Sequence, residues 1–195
     1  EIQPSASGFG RVAATKTWSG VAEVEGRLTK FADTLQVGAL IGAGDLLFEI
    51  DPRDYEIAAA QAEADVLRAQ ADINEIVVNG ENTRASLVIE EEILEIYRTD
   101  KERVENLVQQ GSVAATELET ASRTLLSQQS VVASLKANVA LVDPDLLSAE
   151  AVLAQANADL ESAQRDLSRT RVHAPFPGRV TERGASELQY VRTGD

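Results

Sequence analysis

The sequence predicts an α+β chain: a long antiparallel coiled-coil helical hairpin inserted between the two halves of a small β-sandwich. Three observations predict it. They are the placement of glycine and proline, a short repeat shared by the two ends, and an unbroken 4,3 spacing of apolar and small residues between them.

Ten of the twelve glycines lie in residues 1–45 or 178–195, and four of the five prolines (Pro4, Pro52, Pro175, Pro177) sit at or beyond the edges of the middle segment. Gly and Pro punctuate turns and strands, so the ends read as β and the middle as helix. The ends also resemble each other. Gly26-Arg27-Leu28-Thr29-Lys30 corresponds to Gly178-Arg179-Val180-Thr181-Glu182, and Leu40-Ile41-Gly42-Ala43-Gly44-Asp45 to Tyr190-Val191-Arg192-Thr193-Gly194-Asp195. Each copy has too few apolar positions to bury a core alone, so two halves facing each other are expected to make the sandwich.

The middle opens with a helix start signal: Asp51 as N-cap, Pro52 at the first helical position and Asp54 in the first turn. The outgoing seam then runs through Tyr55, Ala59, Ala62, Val66, Ala69, Ile73, Ile76, Gly80, Thr83, Leu87, Glu90, Leu94, Tyr97, Lys101, Val104 and Val108. The returning seam runs through Leu118, Ala121, Leu125, Gln128, Val132, Leu135, Val139, Val142, Leu146, Ala149, Leu153, Ala156, Leu160, Ala163 and Leu167. Heptads held in one phase this long specify a left-handed coiled coil. Gly111-Ser112 marks the turn, and Thr116 with Glu119 is expected to form a capping box opening the second helix. The turn falls midway, as an antiparallel hairpin of arms about 80 Å long requires. Pro144 interrupts the second arm level with Gly80 on the first. Either the rod bends there or the helix stops at Val142 and restarts at Leu146.

Bulk composition excludes several functions. A net charge of −14 disfavours nucleic acid, whose phosphates demand clustered Lys and Arg. With no Cys there is no disulfide, thiolate metal site or Cys nucleophile, and His173 as the only histidine excludes a His-based triad or multi-histidine metal centre. No P-loop or dinucleotide glycine motif occurs. Glu90, Glu91, Glu92 and Glu95 spread around a helix and read as a solvated acidic face. Trp18 reads as a core residue of the β end, and His173 as a junction residue. The chain opens on Glu1 and contains no Met, so a trimmed or processed product is expected, with any signal, lipid-attachment or anchor segment outside it. No stretch approaches the ~20 apolar residues that span a bilayer.

The stretch Val37-Gly38-Ala39-Leu40-Ile41-Gly42-Ala43-Gly44-Asp45-Leu46-Leu47-Phe48-Glu49-Ile50-Asp51-Pro52-Arg53-Asp54-Tyr55 precedes the hairpin. Asp166-Leu167-Ser168-Arg169-Thr170-Arg171-Val172-His173-Ala174-Pro175-Phe176-Pro177-Gly178-Arg179-Val180 follows it, and Tyr190–Asp195 closes the chain. In combination these segments resemble the periplasmic adaptors, or HlyD-like membrane fusion proteins, of resistance-nodulation-division (RND) pumps and related ABC exporters. The resemblance implies a division into 1–19 (start of a β-barrel), 20–51 (first half of a lipoyl-like domain), 52–171 (hairpin, tip about 110–116) and 172–195 (second lipoyl-like half). It implies a non-enzymatic adaptor in the periplasm, anchored to the inner membrane through a segment outside this chain. Its partners would be an inner-membrane transporter, a TolC-type outer-membrane channel and further copies of itself, six in the family. No cofactor is implied, because the position of the modifiable Lys in true lipoyl domains is occupied here by the hairpin, and Lys30 lies elsewhere.

Adaptors that dock TolC-type channels commonly carry an Arg, a Leu four residues on and a Ser seven beyond that. Here Arg103 and Leu107 fit and the third position is Ala114, with Gly111 and Ser112 at the turn between. An Arg at a tip can bond channel carbonyls and carboxylates while a Leu seats in an apolar notch. Loss of the Ser hydroxyl removes about 1 kcal/mol net. Read from the residues alone, the alternative for Arg103 is a solvated helix-face charge, and for Leu107 a seam flank beside Val108. Other readings of the whole chain are an adaptor of an ABC or major-facilitator exporter, or a coiled-coil spacer unrelated to export. The spacer predicts no pairing of residues 26–50 with 174–195.

Overall fold

The structure, a computed structural model, describes residues 8–11, 13–32 and 35–195. The chain divides into two compact units, Glu1–Glu56 with Arg165–Asp195, and Ile57–Gln164.

The first unit is built from six short strands: β1 (Gly26–Phe31), β2 (Leu40–Ile41), β3 (Leu46–Ile50), β4 (Arg171–His173), β5 (Gly178–Arg179) and β6 (Tyr190–Val191). They form a four-stranded sheet in the order β4-β3-β1-β6 and a two-stranded sheet β2-β5. Both sheets draw on both ends of the chain. Glu49 stands opposite Arg171, Gly26 opposite Val191, and Leu40 opposite Arg179, all antiparallel. Residues before the hairpin and residues after it therefore complete each other's ladders, and neither half holds a core alone. The core is Ala22, Val24, Leu28, Ile50 and Val191, with Phe31, Phe48, Tyr55 and Ala185 against it. Gly26 is required where β1 crosses Ile50, because a Cβ there would stand 2.6 Å from Ile50 Cγ2.

The sequence repeat recurs as a repeat of hydrogen bonds. Gly44 N–H donates to Ala174 O and Ala174 N–H to Asp45 O, at 2.8 and 2.9 Å; Gly194 N–H donates to Ala22 O and Ala22 N–H to Asp195 O, both at 2.9 Å. In each copy the turn Asp folds back on its own loop: Asp45 Oδ2 accepts Gly42 N–H and Asp195 Oδ2 accepts Arg192 N–H. Gly44 and Gly194 supply the positive φ, 83° and 97°. The third pair of equivalent contacts joins Gly38 and Ala39 to Val180 in one half, and Leu188 and Gln189 to Leu28 in the other.

Among the described residues no strand precedes Gly26. The expected N-terminal barrel strand falls partly on residues 1–7 and Val12, outside the described residues, and Gly8–Arg11 is exposed and unpaired. Trp18 corrects another expectation. It is 44% exposed and its ring lies over Gly20, whose missing Cβ leaves room for the indole. The core is filled by residues of the paired strands and by Ala22 and Val24, which leaves no place for a large ring.

The second unit lies within two helices, α1 (Arg53–Gln109) and α2 (Ala115–Arg169). Every position of the 4,3 spacing between Ala59 and Ala163 is buried or half-buried, while most residues between them are exposed. The antiparallel pairing is fixed by named contacts: Glu90 with Gln128, Lys136 Nζ with Glu91 Oε1 at 2.8 Å, and Arg84 Nη2 with Asp143 Oδ1 at 3.3 Å. Gln128 donates to both the carbonyl and the carboxylate of Glu90. A polar layer of this kind in an apolar seam specifies register.

α2 runs unbroken through Pro144. The alternative in which it stops at Val142 and restarts at Leu146 is thus excluded. The seam beneath Pro144 supplies the continuity that propensity alone would not. Gly80 has a packing reason: a Cβ there would stand 2.7 Å from Val142 Cγ1, so the glycine lets the arms close at that level. No helix among the described residues is long and apolar enough to cross a membrane.

Candidate functional site

The hairpin turn is closed by backbone chemistry. α1 ends in a Schellman motif: Gly111, at φ 71°, sends its N–H to Val108 O at 2.9 Å, and Ser112 N–H reaches Leu107 O at 2.9 Å. Gly111 is the one residue whose lack of Cβ permits the left-handed step, and a Cβ there would meet nothing within 4 Å. Its role is therefore conformational. Ala114 lies just before α2, and its carbonyl accepts Glu117 N–H at 3.1 Å. The capping box expected from Thr116 and Glu119 does not form at the helix start. Thr116 is already inside α2, two residues too late to act as N-cap, and the Glu119 carboxylate is engaged by Arg123. The short helix-opening position falls instead to Ala114, which has no side-chain acceptor to offer.

Of the tip residues, Leu107, Gly111 and Ser112 are brought together in the Schellman turn, and Arg103 lies one helical turn before Leu107. Arg103 is exposed and its guanidinium engages Asp100 on the same helix. Leu107 is 37% exposed, beside the half-buried Val108. Ser112 and Ala114 are both exposed. The turn thus offers solvent a guanidinium held by one carboxylate, a Leu at the edge of the seam, and a hydroxyl whose backbone N–H is already spent. The acidic run divides along the helix: Glu90 enters the seam, Glu91 pairs with Lys136, Glu95 with Arg98, and Glu92 is exposed. Among the described residues no three His, Asp or Glu side chains converge to hold a metal ion.

A second constellation, missed in the sequence, locks the strands next to the helix ends. Glu49 is buried on β3 between Lys30 Nζ at 3.3 Å and Arg171 Nε at 2.8 Å. Its carboxyl is held below the ordinary value by the Arg171 hydrogen bond; burial opposes this and Lys30 adds to it. Beside it, Ile50 N–H donates to Thr170 O, Asp51 N–H to Arg27 O, Tyr55 Oη to Glu25 O at 2.7 Å, and Arg169 pairs with Glu23 at 2.8 Å. Asp51 acts as N-cap through Arg53 N–H, and Arg53's guanidinium also binds it, lowering its pKa to about 2. Glu56 N–H donates to Pro52 O at 2.8 Å, the first bond of the helix, and α1 itself starts one residue on, at Arg53. The only signal for Glu49 was its place beside two apolar residues on β3. Strand alternation does not predict the burial of both Glu49 and Ile50. His173 lies exposed on β4 opposite Leu46.

The family model described as "RND MFP, barrel-sandwich hybrid domain" matches residues 20–195. Multidrug resistance protein MdtA of Erwinia amylovora is 31% identical over 189 residues, covering 97% of this chain and 36% of that protein. MdtA of Yersinia pestis (strain Pestoides F) is 27% identical over 194 residues, covering 100% of this chain and 34% of that protein. The chain spans about a third of the length of these curated relatives. Among solved structures, the periplasmic adaptor protein EmrA overlaps with a TM-score of 0.47 at 17% identity, covering 90% of this chain and 68% of that one. MacA from Actinobacillus actinomycetemcomitans overlaps with a TM-score of 0.45 at 22% identity, covering 91% and 46%. With its two β halves mutually paired around a helical hairpin, and residues 20–195 matching that family model, the chain belongs to the RND membrane fusion protein family and carries its barrel-sandwich hybrid domain.

Proposed function

We propose that this chain is the central part of a periplasmic adaptor, the subunit that links an inner-membrane transporter to an outer-membrane channel in a tripartite efflux pump. The observation that carries the reading is the cross-pairing of residues 26–50 with 171–191 on either side of an equal-armed hairpin, in a chain of this family. A coiled-coil spacer predicts no such pairing. In this reading residues 20–51 and 172–195 are the two lipoyl-like halves and 52–171 the hairpin. The protein works in the periplasm, is held to the inner membrane by a segment outside this chain, and assembles as several copies, six on the family pattern.

The work is binding and alignment, with no bond made or broken. The β unit fixes where the chain enters α1 and leaves α2, and the turn presents its groups to a TolC-type channel. Arg103 carries five N–H donors, so an Asp100 contact leaves donors for channel carbonyls and carboxylates. Leu107 supplies an apolar edge and Ser112 a hydroxyl near the position where Ala114 has none. Copurification of the full-length protein with a transporter and a channel tests the assignment. Arg103→Asp tests the tip: export of a pump substrate is expected to fall to the level of a deletion strain, with helix content and melting temperature unchanged. Export at the wild-type level would return Arg103 to the solvated helix face.

A further inference from the structure

The two β halves make the same hydrogen bonds, but at one matching turn of positive φ they carry different kinds of residue. At the turn of the first half stands Gly38, φ 93°, whose N–H donates to Val180 O; at the matching turn of the second half stands Leu188, φ 64°, whose N–H donates to Leu28 O. Leu188 is the one non-glycine residue with positive φ among the described residues. L side chains rarely adopt that conformation, and the first half shows that glycine serves the same turn. Leu188 is also 67% exposed, so its side chain adds nothing to the core of its own chain. A strained backbone that displays a large apolar group to solvent points to a use for that group outside the fold.

The surroundings of the two turns are complementary. Beside Leu188 lie Tyr190 and Glu187, both exposed, and Glu187 makes no ion pair or hydrogen bond among the described residues. Beside Gly38 lie the exposed Val37 and Leu40, nothing fills the space a Cβ would take, and Arg179 is held at the rim by its Nη1–H to Gly38 O at 3.1 Å. One turn offers an apolar knob with an anion; the other offers an apolar, open surface with a cation. They lie at different sheets, Leu188 beside β1 and Gly38 beside β5. A single chain thus carries both members of a head-to-tail contact, which joins copies in a closed ring or a row.

We propose that Leu188, with Glu187 and Tyr190, docks against the Val37-Gly38-Leu40 turn and Arg179 of a second copy of this chain. The proposal rests on the adaptor reading above, in which several copies assemble, and names the surface by which they meet.

The test uses the full-length protein in cells. With Val37→Cys and Glu187→Cys in one chain, oxidation is expected to give a covalent ladder above the dimer, which neither single variant gives. Leu188→Gly is expected to weaken self-association at least about tenfold, while the melting temperature stays level or rises because the strain is relieved. Glu187→Arg and Arg179→Glu are each expected to weaken association about three- to tenfold, and their combination to restore most of it. No ladder, with Leu188→Gly assembling as the wild type does and the transporter still copurifying, overturns this contact and leaves the adaptor reading standing. Loss of transporter copurification in Leu188→Gly with self-association intact also overturns it, assigning the knob to the transporter. A wild-type protein that neither self-associates nor copurifies with a transporter removes the adaptor reading itself.

Discussion

The β unit and the hairpin solve the burial problem in opposite ways. The β unit closes a compact core in which Leu28 and Ile50 are 1% and 0% exposed, with long-range partners on both sides of the chain. The hairpin, although longer, buries only Ala69, Gly80, Val132 and Ala156 outright, and spreads its remaining contacts thinly along a half-buried seam. The difference teaches where damage spreads. A defect in the core is felt by every strand at once, whereas a defect in the seam is shared mainly with the neighbouring layers.

Substitution can break this contrast. Leu28→Ala is expected to cost about 2–5 kcal/mol in denaturant unfolding of the β unit, against about 1.5 kcal/mol for Val132→Ala in the seam; equal losses would mean the two regions do not differ as described. Pro144→Ala is expected to stabilise the hairpin by up to about 3 kcal/mol, read as a higher helix melting temperature, because it restores an N–H to the Ala140 carbonyl without disturbing the seam. Gly80→Val, driven into Val142, is expected to destabilise the hairpin by about 1–3 kcal/mol, and Val142→Ala in the same chain to recover much of that.

The smallest effect is acid sensitivity in the β unit. Glu49 and Asp51 both have folded pKa values below their ordinary values of 4.5 and 3.8. The stability they contribute is complete above those values and is lost as pH falls, for Asp51 down through about 2. Unfolding of the β unit measured between pH 6 and pH 2 is expected to show this loss, flattened in Glu49→Gln.

The legible parts of the molecule were those written in periodicity or in repetition. The 4,3 spacing marks the half-buried face of both arms, including the polar positions Glu90, Lys101 and Gln128, because a helix commits every position of a phase to one side. The shared Gly-Arg-x-Thr and Gly-Asp segments indicated that the flanks would complete each other, since neither carries enough apolar surface by itself. What stayed hidden depends on three-dimensional neighbours. Gly80 read as a weak point because nothing in its own arm shows that Val142 stands opposite it. Thr116 read as a cap because the motif fits, yet the Schellman turn at Gly111 lets α2 begin at Ala115, ahead of it. Glu49 gave no signal beyond its two apolar neighbours, because its partner Arg171 lies on the far side of the hairpin. Leu188 gave no signal, because strain belongs to a dihedral angle and leaves no trace in composition. At the tip, the resemblance proposes Arg103 and Leu107, while the engagement of Arg103 by Asp100 appears only in the structure.

The seam's phase has a consequence for how such a chain can change in reach. Removing one residue from either arm swings everything beyond it by about 100° and turns the packed face to water. Seven residues taken from one arm restore the phase but leave Gly80 facing a layer other than Val142, unless seven leave the other arm too. Lengthening or shortening therefore proceeds in matched rungs of about 10 Å. A hairpin of this design can be longer or shorter by a whole rung, never by a fraction of one.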